Sequence, residues 1–239
     1  MKNVKFILIA LVSIVATSCN FDIRLGQENG NGNVVTEERE VGNFNAVRGA
    51  AGIDVFLTEG TENKVVVEAD ENLMEIIETR VDGNTLKISS TKSIGRSKSK
   101  KVHVTYTQLE SIEASSGADV IGNSVVRSET LSLDSSSGAD LEVEIFANEV
   151  YISCSSGADV KVSGTASKLT ADASSGSDIK ARQLEVVSCK ADVSSGADIS
   201  VYVKESLKAT ASSGGDIKYY GNPSDVSVAD GVSGNVRKM

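Results

Sequence analysis

The 239-residue chain has no tryptophan, one proline, one histidine and three cysteines, and aromatic residues make up only 4% of it. Each scarcity closes off a class of protein. His103 has no second histidine or cysteine at ligand spacing, so neither a metal site nor a His-based catalytic cluster is expected. It lies between two valines in the alternating run "KVHVTYT" (101–107) and reads as a surface strand residue. So few aromatics imply a core of Val, Ile, Leu and Ala, narrow and uniform enough to repeat along an axis. Basic residues are outnumbered, with 24 Lys and Arg against 33 Asp and Glu and a formal charge of −9, which argues against nucleic acid as a partner.

The one long apolar run stands at the start of the chain. "MKNVKFILIALVSIVATSC" places Lys2 and Lys5 ahead of an apolar segment, Phe6 to Ala16, that is short for a membrane span and ends at small residues before Cys19. This is the layout of a signal peptide over residues 1–18. Ala16-Thr17-Ser18-Cys19 resembles the lipobox of bacterial lipoproteins, in which the cysteine becomes the acylated first residue. Cys19 is therefore the expected lipidation site, and a membrane, reached through that lipid, the first expected partner. Asn20 in place of an aspartate after Cys19 favours the outer membrane of a cell envelope. Residues 19–40, which include "NFDIRLGQENGNGN" (20–33), read as a flexible tether.

What is abundant is a five-letter word. SSGAD or a close copy occurs at 115–119, 136–140, 155–159, 174–178, 194–198 and 212–216, with central glycines 21, 19, 19, 20 and 18 residues apart. A period near twenty fits one coil of a solenoid. Aligned on the glycine, the third residue after it is always apolar: Val120, Leu141, Val160, Ile179, Ile199 and Ile217. The residue after that is Glu142, Lys161, Lys180 or Lys218 in four of the copies. Period two marks strands with one face inward. A coil of this kind buries its apolar face only when others stack on it, with like residues about 4.8 Å apart in a parallel sheet.

The fold class is therefore all-β: a parallel β-helix-like solenoid over 106–223, right-handed by the crossover rule, with short turns such as "SGTASK" (163–168) and a C-terminal tail or cap at 224–239. Cys154 and Cys189 occupy different inward positions two coils apart. That is roughly 9 to 10 Å along the stack, too far for a disulfide.

The recurring aspartates have two readings. They bond nearby backbone amides as in Asx turns, or they form a cation-binding ladder as in calcium β-rolls. The missing second glycine pair and nine-residue period favour the first.

Residues 41–105 lack the repeat but remain β-rich: "VRGAAGIDVFLTEG" (47–60), "KVVVEAD" (64–70), "TLKIS" (85–89) and "KVHVTYT". "ENLMEIIE" (71–78) predicts a short helix and Val81-Asp82-Gly83-Asn84 a hairpin turn. Gly52-Ile53-Asp54-Val55 reads as a degenerate repeat corner. The order "FNAVRGAAGIDVFLTEG", "VVVEADENLMEII", "DGNTLKI", repeated "SSGADV" and "IKYYGNP" resembles the head GIN domain family of auto-transporter adhesins, from about Phe44 to Pro223. That resemblance implies an exported, often lipid-anchored protein with a β-solenoid fold, and carries no catalytic motif.

Catalytic residues, cofactor and metal are accordingly expected to be none. SSGAD is not the G-x-S-x-G elbow, and a hydrolase uses one special serine rather than six equivalent ones. The expected function is that of a non-enzymatic envelope lipoprotein, an adhesin or surface scaffold whose ligand is a glycan or a host or envelope protein. The alternatives are a carbohydrate-active β-helix protein, polysaccharide-binding, lyase or hydrolase, and a cation-stabilised β-roll-like module. Within 90–101, Lys92, Arg96, Lys98, Lys100 and Lys101 concentrate positive charge, read as a solvated hairpin tip with anionic glycan or lipid as the alternative.

Overall fold

The computed structural model describes residues 26–231 and 233–239, so the signal segment and Cys19 lie outside the described residues. The first half contributes β1 (Val34–Arg39), β2 (Ala46–Gly49), β3 (Asp54–Glu59), β4 (Lys64–Asp70), β5 (Ile77–Asp82), β6 (Thr85–Ser90) and β7 (Lys100–Tyr106). The second half contributes β8 (Ser111–Ala114), β9 (Asp119–Gly122), β10 (Val126–Ser136), β11 (Asp140–Ser155), β12 (Asp159–Ala173) and β13 (Asp178–Val193). It ends with β14 (Asp198–Ala211), β15 (Asp216–Tyr220), β16 (Asp225–Asp230) and β17 (Asn235–Lys238).

From β8 onward every pairing is parallel, because each coil lays the same alternating sequence on the one before. The register is the one centred on the glycine. Val120, Leu141, Val160, Ile179, Ile199 and Ile217 form one inward column, each no more than 1% exposed. Cys154 and Cys189 fill inward positions as free thiols. "SGTASK" is not a turn: residues 163–168 run inside β12. Gly164 there lies at φ 108°, where a Cβ would fall 2.0 Å from the carbonyl oxygen of Ile145. The chain bends and stays paired there because glycine lets two backbones approach.

The first half extends the same body. β2 pairs in parallel with β8, and β3 with β9, so Ala51 and Gly52, at φ 60° and 70°, form the degenerate corner that the sequence suggests. Beyond them the direction changes. β4 lies antiparallel between β7 and β1, and β5 is antiparallel to β6 across a two-residue loop, Gly83-Asn84. These strands close one end of the solenoid, burying Val65, Val67, Ile77 and Leu86.

Two expectations need correction here, the tether and the helix. Residues 34–39, placed in the tether, form β1, and Glu28 already pairs with Ile94; the outer strand β4 needs a partner along that edge. "ENLMEIIE" contains only a 3-10 turn at Glu71–Leu73, since the next residues must enter β5. Residues 224–239 add two more strands in parallel register, Ser206–Ala211 on Asp225–Asp230 and Asp216–Tyr219 on Asn235–Lys238.

Candidate functional site

The SSGAD corner is a type I′ turn. The second serine and the glycine of every copy have positive φ, 50° to 58° for Ser116, Ser137, Ser156, Ser175, Ser195 and Ser213 and 66° to 79° for the glycines. Such a turn needs two consecutive left-handed residues. In five copies the fourth residue's N–H donates to the first serine's carbonyl, as Ala118 does to Ser115 (3.2 Å) and Ala158 to Ser155 (3.3 Å). Nothing lies within 4 Å of a Cβ placed on Gly117, Gly138, Gly157, Gly176 or Gly196, so φ alone selects glycine there. The corners also bond to one another, the N–H of Gly157 donating to the carbonyl of Ser175 (3.1 Å), and likewise along the stack. At Ser135 the hydroxyl, and at Cys154 the thiol, donate across the turn to Ala139 and Ala158 (2.9 and 3.1 Å). Burial pushes the Cys154 thiol up to about 11 and that of Cys189 to about 12, so neither is a ready nucleophile.

Asp54, Asp119, Asp140, Asp159, Asp178, Asp198 and Asp216 stand in one outward ladder, with Asn235 next in line. The Asx-turn reading is wrong in detail, because the aspartate side chains take no part in closing the turn: among the described residues none of these carboxylates accepts a backbone N–H. Lysines meet some of them instead: Lys180 Nζ is 2.6 Å from Asp159 and Lys218 Nζ 3.3 Å from Asp198. Burial first, then the neighbouring carboxylates, pushes Asp119, Asp140 and Asp178 above the ordinary aspartate value. Among the described residues no group of three or more His, Cys, Asp or Glu side chains is disposed to hold a metal ion.

The basic segment 90–101 is not a free hairpin tip. Asp70, fully buried, accepts N–H bonds from Gly32, Lys98 and Ser99 at 3.1 to 3.2 Å, pinning the segment against residues 28–32. Gly30 has no Cβ because one would lie 1.7 Å from Asp70 Oδ2. Lys92 lies 3.7 Å from Glu28 and Lys101 3.8 Å from Glu68, so two of the five charges are partly offset. His103 is exposed, stacked on Phe56 with centroids 5.3 Å apart.

A different surface stands out on the wall after the corner. Beyond the aspartates, Lys161, Lys180 and Lys218 lie in one outward column, interrupted by Ser200 between the last two. The interruption leaves a shallow depression of about 210 Å³ lined by Asp178, Lys180, Asp198, Ser200 and Lys218. Beside it Tyr202 and Tyr220 are paired across adjacent coils, and the Arg182 guanidinium lies over the Tyr220 ring, 4.4 Å from its centroid.

The sequence matches, over residues 43–223, the family described as "Putative auto-transporter adhesin, head GIN domain". The chain belongs to this family. A comparison with curated proteins finds no match. Among solved structures, a "putative adhesin" from Bacteroides fragilis NCTC 9343 is similar with a TM-score of 0.82 and 23% identity, over 89% of this chain and 100% of that one. A "putative lipid binding protein" from Parabacteroides distasonis ATCC 8503 gives 0.71 and 21%, over 89% and 99%. A "putative adhesin" from Parabacteroides merdae ATCC 43184 gives 0.66 and 20%, over 90% and 99%. At these identities the likeness concerns the fold. In this GIN-domain protein, β1, β16 and β17 lie beyond the matched residues.

The Arg182–Tyr202–Tyr220 group was not found from the sequence. Its one signal was the irregular spacing of the glycines, 20 residues and then 18, around the bulged strand β13.

Proposed function

We propose that this GIN-domain protein is a non-enzymatic lipoprotein of the cell envelope, held on the outer membrane through lipid on Cys19 and acting as an adhesin or surface scaffold. The observation that supports the reading is the stack itself. One continuous wall of coils, bonded corner to corner, holds outward side chains in fixed columns, a surface suited to an extended ligand and not to a single reacting centre. Among the described residues no helix is long and apolar enough to cross a membrane, which is compatible with attachment by lipid.

The full chain in detergent micelles, tested on glycan and matrix-protein panels, is expected to show saturable binding without turnover. New reducing or unsaturated sugar ends would instead establish the carbohydrate-active alternative. Cys19→Ala is expected to leave the protein exported while releasing it from the membrane fraction. Fatty-acid label that persists in this variant would rule out Cys19 as the acylated residue.

A further inference from the structure

The coil built on β13 is longer than its neighbours, and the extra length emerges on the outer surface. Against β12 the register slips between Lys161 and Ser163, opposite Lys180 and Gln183, so that Arg182 is the residue looped out. Against β14 it slips again, from the Ala181–Val201 pair to the Glu185–Tyr202 pair. A bulge re-aims a side chain at little cost to the rest of a sheet. Arg182 is thereby sent past the coil of β14 to Tyr220 on β15, two coils on. Tyr202 and Tyr220 are half-buried, so their rings are held by their surroundings. Gly221 fixes the chain beside them: at φ 91°, its missing Cβ would fall 2.2 Å from the Val203 carbonyl oxygen.

The charges around this group are unevenly satisfied. Lys180 is paired with Asp159 (2.6 Å), Lys218 with Asp198 (3.3 Å) and Lys204 with Glu185 (2.7 Å). Among the described residues no carboxylate lies within ion-pair distance of Arg182. Its planar cation is oriented by the Tyr220 ring, yet its donor edge is left without an anion. On a protein of formal charge −9 this is a local site for negative charge, next to a tyrosine pair and a depression of about 210 Å³ with hydrogen-bonding walls. Tyrosine offers a flat apolar face with a polar edge, which suits a pyranose ring. An arginine fork suits a carboxylate.

We propose that Arg182, Tyr202, Tyr220 and the Ser200 depression form a binding site for an acidic saccharide, a chain bearing hexuronate carboxylates. One sugar ring packs on Tyr202, its carboxylate takes the Arg182 fork, and its hydroxyls meet Ser200, Asp198 and Lys218. The site rests on the adhesin reading and gives it a ligand class.

The test is calorimetric titration of the full chain in micelles with a short oligogalacturonate and with a neutral gluco-oligosaccharide of equal length. Saturable binding of the oligogalacturonate is expected, at least tenfold tighter than the neutral chain. Arg182→Gln and Tyr202→Ala should each weaken it tenfold or more with unchanged melting temperature, and Arg182→Lys should rescue it only in part. Lys161→Gln, in the same column one coil before the depression, should bind as the parent does. Equal affinity for the two saccharides, or undiminished binding by both variants, overturns the site while leaving an adhesin that binds elsewhere. Absence of oligogalacturonate binding also overturns it, whereas failure of the adhesin reading would show as silence across the glycan and protein panels.

Discussion

Residues 106–223 close their core by repetition, whereas residues 34–105 close theirs with parts that occur once. In the repeats, lysines at one outward position reach back to carboxylates of the preceding coil: Lys161 to Glu142 and Lys180 to Asp159, both at 2.6 Å. Such exposed pairs are individually weak, so stability comes from inward columns and stacked amides shared by many coils. At the other end, Asp70 alone satisfies three backbone donors, and among the described residues no second side chain duplicates it. Repetition spreads the effect of a change, and a unique part concentrates it.

The sharpest test of that contrast lies in the repeats, where a single inward position should still be vulnerable. Ile179 is 1% exposed between Val160 and Ile199. Ile179→Asp buries a carboxylate with no partner and is expected to cost on the order of 4 kcal/mol or more. Lys180→Asp, one residue on and facing water, should cost about 1 kcal/mol or less, through lost ion pairs. Melting and protease resistance of the two variants compare them directly. Equal tolerance would contradict the inward column.

In the closing end, Asp70→Ala removes a carboxylate that no other group can replace. The N–H groups of Gly32, Lys98 and Ser99 lose their acceptor, and an expected loss of about 2 to 4 kcal/mol follows. Hydrogen exchange should locate the damage in residues 28–32 and 92–99, with β12 and β13 still protected. Loss of protection throughout the repeats would mean that the two halves unfold as one.

What could be read from residues alone follows the same division. The glycine-centred period places Val160, Ile179 and Ile199 in one column, because a repeat supplies six observations of each position. Asp70, Gly30 and the pairing of β1 with β4 occur once and join residues 26 to 40 apart, so no local pattern announces them. The aspartate ladder was legible as a ladder, yet its bonding was not. Asx turns and lysine pairs need the same residue type, and the choice depends on whether the main chain already closes the turn. Arg182 escaped because a bulge looks like a one-residue change in spacing until its direction is known.

Two carboxyls, Asp70 in the closing end and Asp140 in the repeats, should also respond to acid with opposite sign. Burial alone would raise the pKa of Asp70; the N–H donors of Lys98, Gly32 and Ser99 outweigh it and hold the carboxyl below the ordinary aspartate value. Its contribution is present above the unfolded value near 3.8 and is lost as pH falls through the lower folded one. Asp140 is pushed upward, by burial and then by Asp119 and Asp159, so its ionisation opposes folding at neutral pH, and that cost fades as pH falls through its raised value. Asp140→Asn should therefore stabilise the protein at pH ~7 by about 0.5 kcal/mol, a small gain because the side chain is largely exposed. The gain should shrink in high salt, which screens the ladder, and vanish near pH ~3, where the parent carboxyl is also neutral. Melting curves across pH, with calcium or with chelator, measure it. A variant less stable than the parent at neutral pH, together with a calcium-dependent rise in the parent's melting temperature that the variant lacks, would show instead that a cation neutralises the ladder.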